Sequence, residues 1–363
     1  GKYITQNGSP VEWVKEESYF FKLSAWEKKL IQFYEDNPNK ISPKSRYNEV
    51  LSFIKSGLKD LSISRTTFNW GVPVPNNPNH VMYVWIDALC NYLTSIGYPD
   101  IENKIFKKYW PALHIVGKDI LRFHAIYWPA FLMAADLDPP KKIFAHGWWT
   151  NEGQKISKSL GNIINPYDII KEFGLDQTRY FLFREVPFGN DGDFSKDAIS
   201  KRVNADLSNN YGNLVQRVLT FIVKNCNSKI ESTQNFNDKD FNLIKIFNKQ
   251  YNKYYEYMNE QKIDRAIKSI MDLLSETNSY IDDQAPWSLK KSNPERMKTV
   301  LFVIINIIIK STIMLSPVIP ASAEQVLSFM NFKLENYNFN NFEKFIEETI
   351  IIKSPAPIFP RID

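Results

Sequence analysis

The spacing of apolar residues changes along this chain, and the changes mark its parts. From Trp26 to Tyr34, and again from Arg46 to Leu58, apolar residues recur at close to helical intervals. Asp36 to Pro43 between them is polar and reads as a loop, and Leu61 to Ser64 as a short strand. Residues 1–65 therefore read as mainly helical. Beyond Thr66 the apolar runs become continuous. Val81–Ile86, Ala112–Val116 and Lys142–Ala145 each read as a strand covered on both faces. Helical segments, Ala88–Ser95 and Arg122–Ala135, follow the first two. This alternation predicts a parallel α/β segment. Helices are then expected over Pro166–Phe173 and Asp176–Arg184, with a turn-rich connector from Glu185 to Phe194. From about Asn204 helical periodicity dominates, over roughly 204–226, 240–259, 262–281, 296–315 and 320–330, the pattern of a helical bundle. Asn227–Asp240 reads as a polar loop, and 331–363 as an Asn-rich, then Pro-rich tail on the surface. The most apolar stretch, Val300–Ile309, is too short to span a membrane and reads as a buried helix.

In parallel sheets ligands bind outside the carboxyl ends of the strands. That rule gathers Trp85-Ile86-Asp87, Gly117-Lys118-Asp119 and His146-Gly147 at one rim. Three strands are few for a nucleotide-binding sheet, so the sheet reads as half of one. A different chemistry stands at Lys155-Ile156-Ser157-Lys158-Ser159. Two ammonium groups in one short loop do not neutralise each other. They suit an anion, and the hydroxyls between them suit phosphate oxygens. An exposed, solvated loop is the plainer alternative.

Composition narrows the picture. The 363 residues suggest two or three domains, and 44% hydrophobic with 23% charged residues excludes a chain disordered as a whole. A net charge of +5 permits a polyanionic partner without demanding one. The two cysteines, Cys90 and Cys226, exclude a disulfide framework, argue against a thiolate zinc site and fit a reducing cytoplasm. The histidines, at 80, 114, 124 and 146, are not spaced as a metal pair on a helix. No signal peptide is visible, and no membrane partner is expected.

Several strings, in this order, carry a family resemblance. Lys155–Ser159 resembles the KMSKS motif, with Ile156 in place of Met. Tyr83-Val84-Trp85-Ile86-Asp87-Ala88-Leu89-Cys90-Asn91-Tyr92 and Gly117-Lys118-Asp119-Ile120-Leu121-Arg122-Phe123-His124, followed by Tyr127-Trp128-Pro129, resemble methionine-pocket segments. Gln284-Ala285-Pro286-Trp287 resembles an anticodon-reading corner. Together they resemble the bacterial methionyl-tRNA synthetases, class I enzymes, over essentially the whole chain.

The resemblance implies ATP-dependent activation of L-methionine to methionyl-adenylate and transfer to tRNA(Met). It implies Lys155 and Lys158 as catalytic lysines on the phosphates of ATP, with Mg2+, and Ser157, Gly117, Asp119 and His146 as further ATP contacts. Arg65 is a possible helper, with a surface salt bridge as its alternative. Trp85, Ala88, Tyr92, Ile120, His124 and Trp128 would line the methionine pocket, and Asn213, Arg217 and Trp287 would read the anticodon. Each has a plainer alternative: Asp119 as a helix cap, the pocket aromatics as a core stripe, Trp287 as bundle core, Arg217 paired to a surface acid. Leu89 replaces a proline common in part of the family.

The domains expected are 1–63, part of a connective insertion; 64–146, the second half of the Rossmann catalytic domain; 147–203, the KMSKS-loop segment; and 204–363, the helical anticodon-binding domain. The family's His-x-Gly-His motif occurs nowhere in the sequence. The expectation is therefore a chain lacking the N-terminal half of its catalytic domain and inactive without it, with no zinc site. A non-catalytic tRNA-binding remnant, or a class I synthetase for another apolar amino acid, stays open as a rival.

Overall fold

Lys142–His146 is the central strand of a short parallel sheet. Leu113–Gly117 flanks it on one side and Ile41–Ser42 on the other. The register pairs His146 with Gly117, so two strand ends lie side by side. The computed structural model describes residues 3–4, 10–11, 15–156, 161–336 and 342–362. Contacts divide the chain into two compact units, Gly1–Gly147 and Trp148–Asp363.

In the first unit, helices Glu27–Asp36 and Lys44–Lys55 pack on the sheet. Leu30, Tyr34, Val50 and Ile54 share one core with Val116, Ile126, Ile143 and Ala145. One expectation changes here. The third sheet strand comes from Ile41–Ser42, inside the segment expected to be a loop. The core joins residues on both sides of position 63, because apolar faces far apart in sequence cover each other.

The apolar run Val81–Ile86 is also not a strand of this sheet. Asn77–Met82 is the middle strand of a separate antiparallel sheet, with Ser64–Arg65 and Pro73–Val74 beside it. Tyr83 is extended, and helix Val84–Thr94 begins directly after it. A short continuous apolar run does not distinguish buried strand from buried helix. Nor is Leu113–Gly117 covered on both faces: Leu113 and Ile115 are exposed. The helix expected over Arg122–Ala135 begins with a π-helical segment, Phe123–Tyr127, and continues as Trp128–Ala134.

The second unit is mostly helical. Its axis is Pro294–Leu315, apolar and long enough to cross a membrane by length alone, but here almost wholly buried inside the unit. Each isoleucine or leucine so buried contributes roughly 1.5–3 kcal/mol. Helices Asn213–Asn225, Asp238–Asn259 and Ile263–Gln284 surround it. Two polar residues on the axis hold the C-terminal tail. Asn306 Oδ1 accepts the Ile346 N–H at 2.8 Å, and Lys310 Nζ donates to the Lys344 carbonyl at 2.7 Å and to that of Phe342. Burial pulls the Lys310 amine down to about 8. The tail is therefore not a surface strap: Phe342, Ile350, Ile352 and Phe359 enter the core, and Ile350–Ile351 pairs with Lys229–Ile230. That core also joins Ile169, Phe181 and Ile199 to the later helices, so it continues across the boundary expected at 203/204.

Candidate functional site

The first candidate site grows from the end of Leu113–Gly117. A Cβ on Gly117 would lie 2.5 Å from Asp119 Oδ1 and 3.8 Å from His146 Cε1. Glycine lets the Asp119 carboxylate fold back over the strand end beside the imidazole. Asp119 is not the cap of the short helix Lys118–Ile120; Gly117 holds that position. His146 Nδ1 lies 2.8 Å from the Gly147 carbonyl. Donors and a carboxylate at a strand end suit a nucleoside.

Close by in sequence lies an aromatic cluster. Trp85, on helix Val84–Thr94, stacks on Phe123 with ring centres 3.8 Å apart. Phe123 and His124 belong to the π-helical segment, whose extra residue per turn re-aims side chains and is frequent at functional sites. His124 Nδ1 lies 2.9 Å from the Ile120 carbonyl and so carries the proton. Its Nε2 is then an acceptor, and Tyr92 donates its hydroxyl to it at 3.0 Å. Burial lowers the His124 pKa, with the Ile120 hydrogen bond acting the other way. Burial first, and the neighbouring His124 second, push His114 down to about 4. Both imidazoles are neutral at physiological pH, and the pocket carries no charge from them.

These groups are not equally placed. Trp85, Tyr92 and Ile120 are half-buried and Ala88 is exposed. His124 and Trp128 are only 2% exposed, so they stand behind the surface that a ligand would meet. The Trp128 indole N–H donates to His114 Nε2 at 3.3 Å. Sequence reasoning did not single out His114 or Phe123. Only the alternation of Leu113–Gly117, which turns His114 inward between exposed Leu113 and Ile115, signals the first. Arg65 is held by Ser62 Oγ at 2.7 Å and lies over the Tyr83 ring.

The lysine loop belongs to the second unit. Trp149–Asn151 and Gln154–Lys155 form a hairpin. Its turn residues Glu152 and Gly153 have φ of 49° and 76°, which a two-residue hairpin turn requires. Asp193 pins it, accepting from Thr150 Oγ1 at 2.6 Å and Gly153 N–H at 2.8 Å, and these bonds lower its pKa. The neighbouring residues were expected to form a connector, yet Gly192–Phe194 is a strand parallel to Trp149–Asn151. A Cβ on Gly192 would meet Trp149 at 3.0 Å. Ser157 and Lys158 lie outside the described residues, and only the backbone of Lys155 is described.

The third site is a helix corner. Helix Ile263–Gln284 ends at Ala285, which is left-handed with φ 42° and ψ 61°, and Pro286 then starts helix Pro286–Ser292. A non-glycine residue before proline in this conformation is strained, so its surroundings must hold it. They do. Asp240, fully buried, receives two bonds from the Arg296 guanidinium at 2.5 and 2.7 Å, one from the Tyr280 hydroxyl, and the Asn237 N–H at 2.9 Å. Arg296 also donates to Gln284 Oε1, the residue before the corner. Burial raises the Asp240 pKa, but these donors outweigh it and hold the carboxyl below its usual range. Trp287 stands out from the corner, 46% exposed, and is not bundle core. Arg217 reaches the same helix, donating to Asp282 at 3.0 Å and Asn278 at 3.2 Å. Asn213, one turn earlier, is exposed at the end of a π-helical segment, Val203–Gly212. Among the described residues no group of three or more His, Cys, Asp or Glu could hold a metal ion.

The chain is similar to known proteins over nearly its whole length. A family model described as class I tRNA synthetases (M) matches residues 3–219, and one described as the anticodon-binding domain of methionyl tRNA ligase matches 230–363. The chain is 51% identical to a methionine–tRNA ligase of Rickettsia felis, covering 99% of this chain and 71% of that protein. It is 49% identical to one of Brucella suis, covering 98% and 69%. The fold is similar to that of Mycobacterium tuberculosis methionyl-tRNA synthetase bound by methionyl-adenylate, with a TM-score of 0.93 at 43% identity, over 99% of this chain and 72% of that one. The free form of that enzyme gives 0.92 at 42% identity.

Proposed function

The chain belongs to the methionyl-tRNA synthetases, methionine–tRNA ligases of class I, and on that premise we propose which of its residues do the work. The reaction activates methionine with ATP and passes it to tRNA. In the first step the methionine carboxylate attacks the α-phosphorus of ATP, and pyrophosphate leaves. In the second a hydroxyl of the terminal ribose of the tRNA attacks the carbonyl of the adenylate, and AMP leaves. Such steps ask the protein mainly for positioning and charge stabilisation.

Lys155 and Lys158, with the Ser157 hydroxyl between them, take the phosphate charge of ATP, which enters as its Mg2+ complex. A placed cation of this kind contributes about 3–4 kcal/mol to a transition state, the scale of an oxyanion-hole donor. Asp119 accepts from the ribose hydroxyls, the Gly117 backbone allows the close approach, and His146 borders the base. Methionine lies against Trp85, Tyr92, Ala88 and Ile120, with His124 and Trp128 behind them. A thioether is soft and polarisable and packs well on aromatic faces. Trp287, Arg217 and Asn213 meet the anticodon, where single-stranded bases are read by stacking and by edge hydrogen bonds. The working compartment is the cytoplasm, in keeping with two free cysteines.

The observation that carries the amino-acid assignment is the uncharged aromatic pocket, Trp85 on Phe123 beside the Tyr92–His124 hydrogen bond. ATP–pyrophosphate exchange with each amino acid tests it on the full-length enzyme. Methionine should drive exchange, and Trp85→Ala should raise its KM about tenfold or more, on the scale of 1–3 kcal/mol for lost pocket contacts. Exchange driven by leucine or valine instead would sink the assignment.

A further inference from the structure

We propose that His114 is a positioning residue of the amino-acid pocket: it fixes Trp128 and Tyr92 where the pocket can tell a thioether from a hydrocarbon chain. The inference rests on the reading of this pocket as the methionine site. His114 is 4% exposed and sits at the centre of the aromatic cluster. Its Nε2 accepts the Trp128 indole N–H at 3.3 Å. The Tyr92 ring lies 4.3 Å from its own, tilted by 34°, and Trp110 closes another side at 5.9 Å. Trp128 is 2% exposed, so an indole N–H deprived of this acceptor would be buried and unpaired. Leucine at 114 would fill the space yet leave that donor without its partner.

Tyr92 is held at both ends. His114 supports the ring, and His124 Nε2 takes the hydroxyl proton at 3.0 Å. Sulfur and a methylene differ little in size, so a pocket separates them by aromatic faces and polar groups in fixed places, not by volume. The tilt of the Tyr92 ring decides that contact, and His114 sets the tilt.

The test is methionine- and norleucine-dependent ATP–pyrophosphate exchange by the full-length enzyme. His114→Leu should raise the KM for methionine about tenfold, leave the KM for ATP within about twofold, and narrow the methionine-over-norleucine preference. His114→Gln, whose Oε1 can take the indole N–H, should recover most of the preference. A merely structural role would lower the melting temperature and leave the preference unchanged, and that result overturns the proposal. If His114→Leu does not fold, His114→Asn, whose shorter side chain cannot reach Trp128, gives the same reading. Trp85→Ala and Tyr92→Ala separate the two levels of the argument. If neither changes the KM for methionine, the pocket assignment falls and takes this inference with it. If both raise it and His114→Leu does not, the inference alone falls.

Discussion

Trp85 and Trp287 are the two aromatic faces proposed to meet a ligand, and opposite kinds of chemistry hold them. Around Trp85 the supporting polar groups are neutral: two imidazoles kept uncharged by burial, an indole N–H and a phenol. Around Trp287 the support is an ion pair, with Asp240 fully buried against Arg296. On the proposed reading the pocket receives an apolar side chain, and a cation there would hold water in the space the ligand needs. The corner asks something else of its support. Its charges clamp the start of Asp238–Asn259, the end of Ile263–Gln284 and the start of Pro294–Leu315 around a strained Ala285. A buried pair with extra hydrogen bonds can do that, at the risk that losing one partner strands the other.

This difference predicts unequal sensitivities. The largest effect is expected at the corner. Asp240→Ala should destabilise the second unit by about 3–5 kcal/mol, since Arg296 is left without its partner. Denaturant melts compared with the double variant Asp240→Leu/Arg296→Met check this. If the single variant is no worse than the double, the pair is not what holds the corner.

Acid should strike the two regions in different windows. His114 titrates near 4 in the fold against 6.5 ordinarily, so between those values the unfolded chain binds a proton that the folded chain does not. The first unit should therefore lose up to about 3 kcal/mol as pH falls from 6.5 towards 4, with no further loss from this group below that. Asp240, held below its ordinary 3.8, keeps its contribution until the pH falls past that value. Segment-resolved hydrogen exchange, corrected for intrinsic rates, should show 84–128 opening before 237–296. Simultaneous opening would erase the contrast.

The smallest effect belongs to the open face itself. Trp287→Ala should weaken binding of an anticodon stem-loop by about 1–3 kcal/mol for one lost stacking platform. Because the side chain is 46% exposed, the melting temperature should barely move. An unchanged Kd would remove Trp287 from the anticodon site, and a large fall in melting temperature would make it a core residue after all.

Much of both sites was legible as strings. Trp85, Tyr92, Ile120 and His124 lie in runs whose order carries the family likeness, and Gln284-Ala285-Pro286-Trp287 announces a broken helix because proline ends one helix and begins the next. What supports them was not legible. His114 faces Trp128 across a strand and a helix, and Asp240 meets Arg296 56 positions away. The misread elements have the same origin. Val81–Ile86 is apolar enough for either strand or helix, and only its neighbours divide it at Tyr83. Ile41–Ser42 looks like part of a polar loop, and becomes a sheet strand because Lys142–His146 offers it a free edge.

Local chemistry thus settled the inventory of this chain: helical periods, turn residues, the lysine loop and the aromatic strings are written in neighbouring residues. Packing decided the rest. It chose which imidazole nitrogen keeps its proton, which tryptophan stays open and which is walled in, and which carboxylate bears a buried charge. Those outcomes depend on burial and on hydrogen-bond partners distant in sequence, and the free energies involved exist only once the chain has brought the partners together.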